Sequence, residues 1–511
     1  MKNFFLIVLC CFSLNIWGTT QKGLIEISTE NTSIILGVSL DGKVCFLHWG
    51  EKIKDIQAFM DKPFIKQPDT NDNMAPQLYP AYGGRYYLEP ALKLTHNDGA
   101  LTTSLIYDSL DKVEIDDNRT EFTIKLKDKI YPVYVDVRFV CYKKEDVICQ
   151  SVTIYHNEDK TLKVENLASS YIPIHAESYY LTHFHGTWAA EMQMEEEKLR
   201  HGIKVIETKK GVRATQAENP SFLISVNTPS NEDAGEIYAG TLAWSGNYKL
   251  AFEIGETGEL FITGGMNPFA STYNLKAGEK LTSPEMILTY SPAGKGEISR
   301  NYHDWARAYG MAHGDRTRPI LLNSWEGAYF SFEENTITSM IDNAANFGIE
   351  MFVLDDGWFG NKYPRNGDNA GLGDWQVNEK KLPRGISYLA GYAVNKGLQF
   401  GIWIEPEMVN PDSELAKKHP EWIVKSGKRD ILPMRNQWLL DLSNPEVQDF
   451  VFETFDNVVS LSKNITYVKW DANRHVDNAG SEYLTKDNQT HFWLFMVGLC
   501  KGCESDRNSS V

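Results

Sequence analysis

The sequence changes rhythm once, near Pro319, and that change limits the possible architecture more than any other feature. Beyond it, apolar β-branched stretches (PILLNSW, FVLDDGWF, FGIWIEPE, TYVKWD) alternate with amphipathic ones (ENTITSMIDNAANFG, GISYLAGYAVNKG, EVQDFVFETFDNVVSLSKN). Strands that are apolar throughout, separated by helical patterns, predict a parallel sheet covered on both faces. Each of the four strands ends in Trp, Asp or Glu. Polar groups at C-terminal strand ends build the active sites of (β/α)8 barrels. A dinucleotide-binding sheet would instead need a glycine-rich first turn, and LLNSWEGAYF supplies none.

Before that point the pattern is β. Between residues 24 and 296 short alternating runs recur (IEISTE, TSIILGV, YVDVRFVCYK, VICQSVTIYH, FLISVNT, YKLAFEIGETGELFITGG), with Gly, Asn and Asp turns between them. GETG at 255–258 is a hairpin signal. The layout predicted is a β-sandwich domain over 21–296, a helical linker over 297–318 (EISRNYHDWARAYG), and a barrel over 319–511. Closure of a barrel takes eight strands. Four are visible, so only about the first half of the barrel is expected.

The first 20 residues carry a lysine, then an apolar run from Phe4 to Trp17, then small polar residues. This is the form of a signal peptide, so export to a periplasmic or extracellular space is expected, with no membrane partner after cleavage. The net charge of −17 argues against nucleic acid as a partner. Pairing Tyr142 with Val147 sets Val137 opposite Val152 and Val135 opposite Ile154. In that register Cys141 and Cys149 point to opposite faces, which argues against a disulfide between them. Cys500 and Cys503 form a C-x-x-C with no second pair to complete a zinc site. His183 and His185 in HFHGTW have no third ligand in view and read as structural, hydrogen-bonded histidines. No metal is expected.

The strand ends hold the chemistry. Asp355 and Asp356 in LDDGWF are adjacent, so both reach one cleft only from a loop conformation. Carboxylates accept paired bonds from neighbouring sugar hydroxyls, and Trp358 can cover an apolar sugar face. A turn or helix cap is the competing reading. Trp403, Glu405 and Glu407 alternate along FGIWIEPEM, where the two glutamates are either functional or salt-bridged to Lys or Arg. Arg435, in LPMRNQW, is the natural partner for a carboxylate or a ligand hydroxyl. In YVKWDANR, Asp471 is a candidate nucleophile whose charge Lys469 can hold, and Asn473 can bond a substrate hydroxyl.

Together, NSWEGAYFSF, FVLDDGWF, GDWQVNEKKLPRGI, GIWIEPEMVNPDSELAKKHPEW, MRNQWLLDLSNPEV and YVKWDANR resemble the melibiase-type α-galactosidases of glycoside hydrolase family 36. HGTWAAEMQ, GVRATQAENPSF and SPAGKGEISRNYHDW resemble that family's N-terminal β-supersandwich and its junction. The resemblance covers nearly all of residues 24 to about 495. It implies a multidomain chain, a supersandwich followed by a (β/α)8 TIM-type barrel. The implied activity is retaining hydrolysis of terminal α-linked galactose from melibiose- and raffinose-type sugars, without metal or organic cofactor. Asp471 would be the nucleophile. Trp325, Asp355, Asp356, Trp403, Arg435, Lys469 and Asn473 would bind the galactose. Homo-oligomers occur in the family.

One departure accompanies the match. Retaining glycosidases use two carboxyl groups, and the family's acid/base is an Asp downstream of the nucleophile, beyond a Cys-Ser-Gly-Gly-Gly stretch. Neither is present here. The sequence runs from HFWLFMVG into LCKGCESDRNSSV, where the surroundings of Asp506 do not resemble that site. Two classes of function follow. One is a shortened α-galactosidase, or an α-N-acetylgalactosaminidase or galactosyl-transferring relative. The other is a catalytically inactive galactoside-binding or inert remnant.

Overall fold

The computed structural model describes residues 21–60, 76–84, 86–211 and 214–491. The candidate signal peptide, Cys500, Cys503 and Asp506 lie outside them. Between residues 21 and 291 the described residues form antiparallel sheets of three, ten and six strands around a main apolar core. Alternation determines which residues fill it. Along Arg119–Asp128 every second residue is buried, and Val133–Tyr142 pairs with it and with Val147–His156. Tyr142 does face Val147, Val137 faces Val152 and Val135 faces Ile154. Cys141 lies in the main core, whereas Cys149 packs on the opposite face with Val140, Val147 and Ile287, and both are free thiols. GETG closes the hairpin in which Ile254 pairs with Leu260.

The histidine pair corrects an expectation. On the Tyr179–Thr187 strand His183 stands opposite Glu195. Both its ring nitrogens are buried without a hydrogen bond, and its Nε2 lies 3.5 Å from Glu197 and 3.8 Å from Glu195. The neighbouring strand presents carboxylates at ion-pair distance, not acceptors at hydrogen-bond distance.

A helix, Lys295–Trp305, followed by a π-helical turn, Ala306–Gly310, leads from the sandwich to the second unit. There Leu321–Asn323, Met351–Leu354, Gln399–Ile404 and Ile465–Trp470 lie side by side, all parallel, in chain order. Three helices cross between them. Glu334–Asn346 buries Ile337, Ile341 and Ala344, residues four and then three apart that share one helical face. Gly385–Asn395 buries Ile386, Leu389, Ala390 and Ala393 in the same way. Pro445–Val459 starts where Asn444 caps the Glu446 amide and Pro445 occupies the first turn, and it buries Val447, Val451 and Val458. These faces and the strands share a second apolar core. Among the described residues no helix is long and apolar enough to cross a membrane.

After the fourth strand the chain returns to the sandwich. The Val476 amide donates to the Lys210 carbonyl (2.9 Å) and the Asn274 amide donates to Asn488 Oδ1 (2.9 Å). Buried Asp441 accepts from Ser443 and Ser481, tying the same segment to the barrel.

Candidate active site

All four C-terminal strand ends open on one bowl. The second strand stops at Leu354, and Gly357 follows the two aspartates with φ of +107°, a left-handed conformation that glycine adopts without strain. The turn sends the two carboxylates in different directions. Asp355 Oδ2 accepts from Asn323 Nδ2 of the first strand (2.6 Å) and from Lys469 Nζ of the fourth (2.8 Å). Its own amide donates to buried Ser324 (2.9 Å), and its Oδ1 takes the Asp356 amide (2.8 Å).

Asp356 turns the other way and meets Arg365. The guanidinium donates through Nε to both carboxylate oxygens (3.0 and 3.2 Å) and through Nη2 to Oδ2 (2.8 Å). Its Nη1 reaches Asn410 Oδ1 (3.0 Å), and the group lies over the Phe330 ring. Arg365 is 1% exposed and Asp356 6%. Burial raises the Asp356 carboxyl above its ordinary range, against the opposing pull of Arg365.

Asp471 follows the last residue of the fourth strand. Its amide donates to the Ile404 carbonyl (2.9 Å), so the backbone stays paired with the third strand past Trp470. Trp403 Nε1 donates to Asp471 Oδ2 (3.1 Å). The indole is held from behind by a buried aromatic cluster of Trp358, Phe359 and Trp375, with Trp358 Nε1 on the Trp403 carbonyl (3.0 Å).

Beneath this surface lie two more carboxyl groups. Glu405 accepts from Gln437 Nε2 (3.1 Å) and from the Asn473 amide (2.7 Å). Glu407 accepts from Trp470 Nε1 (2.7 Å). Burial pushes Glu405 up to about 7, with a smaller contribution from the charge of Asp471, and Glu407 up to about 8, with a smaller contribution from Glu405.

Several expectations change here. Lys469 pairs with Asp355, and the partner of Asp471 is the Trp403 indole. Neither glutamate bonds a Lys or Arg; neutral amides and an indole serve them instead. Trp358 is fully buried and supports Trp403, so it covers no sugar face. Arg435 is exposed, on a turn where it and Asn436 both have positive φ, and it meets none of these carboxylates. Buried Arg474 holds that turn through the Leu432 and Gln437 carbonyls (2.8 and 2.7 Å). Trp325 stands half-buried at the rim beside Tyr329 and Phe330. Sequence reasoning missed Arg365. Its signal was a lone arginine in a Gly- and Asn-rich loop nine residues beyond Asp356.

A bowl of carboxylates, amides and indoles at the C-terminal ends of parallel strands is the site of a carbohydrate-active barrel enzyme. Residues 42–276 match the glycosyl hydrolase family 36 N-terminal domain, and residues 280–505 match melibiase. α-Galactosidase AgaA of Geobacillus stearothermophilus is 35% identical over 507 residues, spanning 94% of this chain and 69% of that relative. Mel36A of Lactobacillus acidophilus is 31% identical, over 92% of this chain and 67% of its own length. The structure of a G. stearothermophilus AgaA with 1-deoxygalactonojirimycin bound superposes with a TM-score of 0.88 at 32% identity, covering 94% of this chain and 70% of that one. Another, with raffinose bound, gives 0.89 at 32% identity, covering 95% and 71%. The chain belongs to glycoside hydrolase family 36, the family of these α-galactosidases.

Proposed function

We propose that this protein is an exported retaining α-galactosidase acting on terminal α-linked galactose of raffinose-type oligosaccharides. The observation that carries the reading is Asp471, a carboxylate at the end of the fourth strand whose one oxygen is oriented by the Trp403 indole at 3.1 Å. A nucleophile must be held in one attack geometry, and an indole anchored by three other aromatic rings does that. Asp355 and Asp356, each fixed by a cation, offer their remaining lone pairs to sugar hydroxyls. Relatives solved with raffinose and stachyose bound support this substrate class. Export rests on the leader-like first 20 residues.

In this reading the Asp471 oxygen forms a bond to the anomeric carbon as the leaving group departs with its electron pair. The proton donor is none of the other four carboxyl groups. Asp355 and Asp356 are tied to cations, and Glu405 and Glu407 are buried below the bowl with their own donors. The test is the first-step release of dinitrophenol from a dinitrophenyl α-galactoside, whose leaving group needs no acid, so the burst that forms the galactosyl-enzyme reads the nucleophile without a proton donor. Asp471→Asn is expected to lower this rate about 10⁴-fold or more while the fold persists. Retention of the rate in that variant overturns the assignment. Raffinose, whose leaving alkoxide must be protonated, additionally needs a proton donor, which none of these groups supplies.

A further inference from the structure

Glu405 is 1% exposed, yet it touches the segment that carries the candidate nucleophile. The Asp471 amide is held by the third strand through Ile404, and the Asn473 amide is held by Glu405 Oε1. The backbone that aims Asp471 is therefore pinned once on each side of Ala472. Gln437, itself fully buried, fixes the other oxygen of Glu405, and its carbonyl is held by Arg474 (2.7 Å). A solvated charge in so enclosed a place would have no reason to persist; a carboxyl group shared between a loop and the nucleophile's backbone does.

We propose that Glu405 is a positioning residue for Asp471, tying the Asp471–Asn473 segment to the third strand and setting, by its own protonation state, the negative potential in which Asp471 reacts. The inference rests on the reading of Asp471 as nucleophile. The charged groups that face Glu405 are Asp471 and Asp356, which oppose its ionisation, and Arg365, which favours it; Glu407 is the neighbouring acid on its own strand. Burial places the titration of Glu405 at about 7, so the neighbour of Asp471 is neutral in mild acid and anionic in mild alkali. An anionic neighbour raises the energy of a nearby carboxylate and so favours any step that consumes its charge.

The experiment follows the rate at which 5-fluoro-α-galactosyl fluoride labels the full chain between pH 5.5 and 9, with the labelled residue located by mass spectrometry. Fluoride departs without a proton donor, so no acid/base residue contributes to the profile. Wild type is expected to label at Asp471, about tenfold faster at the alkaline end, with an inflection near 7. Glu405→Gln keeps an acceptor for the Asn473 amide and is expected to label within a few-fold of wild type in acid, without the alkaline rise. Glu405→Leu removes that acceptor and is expected to label about a hundredfold more slowly at every pH. Tryptophan fluorescence and circular dichroism verify that both variants fold. If Glu405→Leu misfolds, the pH profile of the near-isosteric Gln variant decides alone. An unchanged inflection in Glu405→Gln, or wild-type labelling by a folded Glu405→Leu, overturns the inference and leaves the nucleophile standing. Labelling of wild type elsewhere than Asp471, or not at all, overturns both.

Discussion

Replacing Arg365 with Met is the sharpest test of how the bowl is held together. The guanidinium makes three N–H contacts to Asp356 at 2.8–3.2 Å, one to Asn410 and one to the Ala370 carbonyl. Methionine fills similar space and supplies none of them. Asn410 Oδ1 keeps the Leu372 amide (2.9 Å), so the main loss falls on Asp356, a buried carboxylate left without its cation. Removing one partner of a buried pair costs about 3–5 kcal/mol. The pH dependence has a definite sign. Burial already raises Asp356 in the folded state, and loss of Arg365 raises it further. A group with a raised folded pKa contributes stability that is full below its unfolded pKa and is lost as pH rises through the folded one. The deficit of Arg365→Met is therefore expected to be smallest toward the ordinary carboxylate range and to grow as pH rises toward 8. Urea unfolding followed by intrinsic tryptophan fluorescence, to which the clustered Trp358, Trp375 and Trp403 contribute, measures the deficit. Adding Asp356→Asn removes the stranded charge and is expected to restore at least about half of the loss. A deficit below about 1 kcal/mol at pH 8, one independent of pH, or no recovery in the double variant refutes the argument.

Trp403→Phe keeps the ring in its aromatic cluster and removes the N–H that orients Asp471. Dinitrophenyl galactoside hydrolysis is expected to fall about 10- to 100-fold with the barrel's urea midpoint little changed, and equal losses in rate and midpoint would reduce Trp403 to packing. Glu407→Gln retains an acceptor for Trp470. Because Glu407 is pushed up to about 8, wild type loses stability as pH rises from its ordinary range toward 8, by as much as about 1.4 kcal/mol per pH unit, and the variant lacks that slope. Parallel stability curves between pH 5 and 8 would contradict it.

What the sequence disclosed and what it withheld divide along physical lines. The four parallel strands were legible because a strand buried on both faces must be apolar throughout, and helices with one apolar stripe must lie on it. The hairpin register at Val133–Tyr142 was legible because a one-residue slip would turn Val135 and Val137 out of the core. Partners across the bowl were not. Alternation places the Lys469, Asp471 and Asn473 side chains together on YVKWDANR, yet Lys469 reaches Asp355, Asp471 meets the Trp403 indole, and it is the Asn473 backbone N–H that goes to Glu405. Which neighbour each meets depends on how far adjacent strands are staggered, and no local pattern encodes that. Arg365 and Arg435 show the same limit. Both sit in polar turn-rich loops, and only the path of those loops buries the first against Asp356 and leaves the second in solvent.

The charge balance of the bowl gives those partners a common purpose. Of the five carboxyl groups here (Asp355, Asp356, Glu405, Glu407 and Asp471), Asp355 pairs with Lys469 and Asp356 with Arg365, and Lys381 stands behind them on the Gly357 and Arg365 carbonyls (2.9 and 3.0 Å). Burial pushes Glu405 up to about 7 and Glu407 up to about 8, so both glutamates hold their protons in mild acid, and the three aspartates remain to be matched. Two of the three are matched by direct ion pairs at 2.8 Å. The third, Asp471, takes its hydrogen bond from a neutral indole that orients without cancelling. A site that must stabilise positive charge developing at an anomeric carbon needs one anion left uncompensated at the reacting centre, with the others neutralised so that the protein still folds around them. Sequestering the protons on Glu405 and Glu407 and the cations on Asp355 and Asp356 achieves both conditions at once.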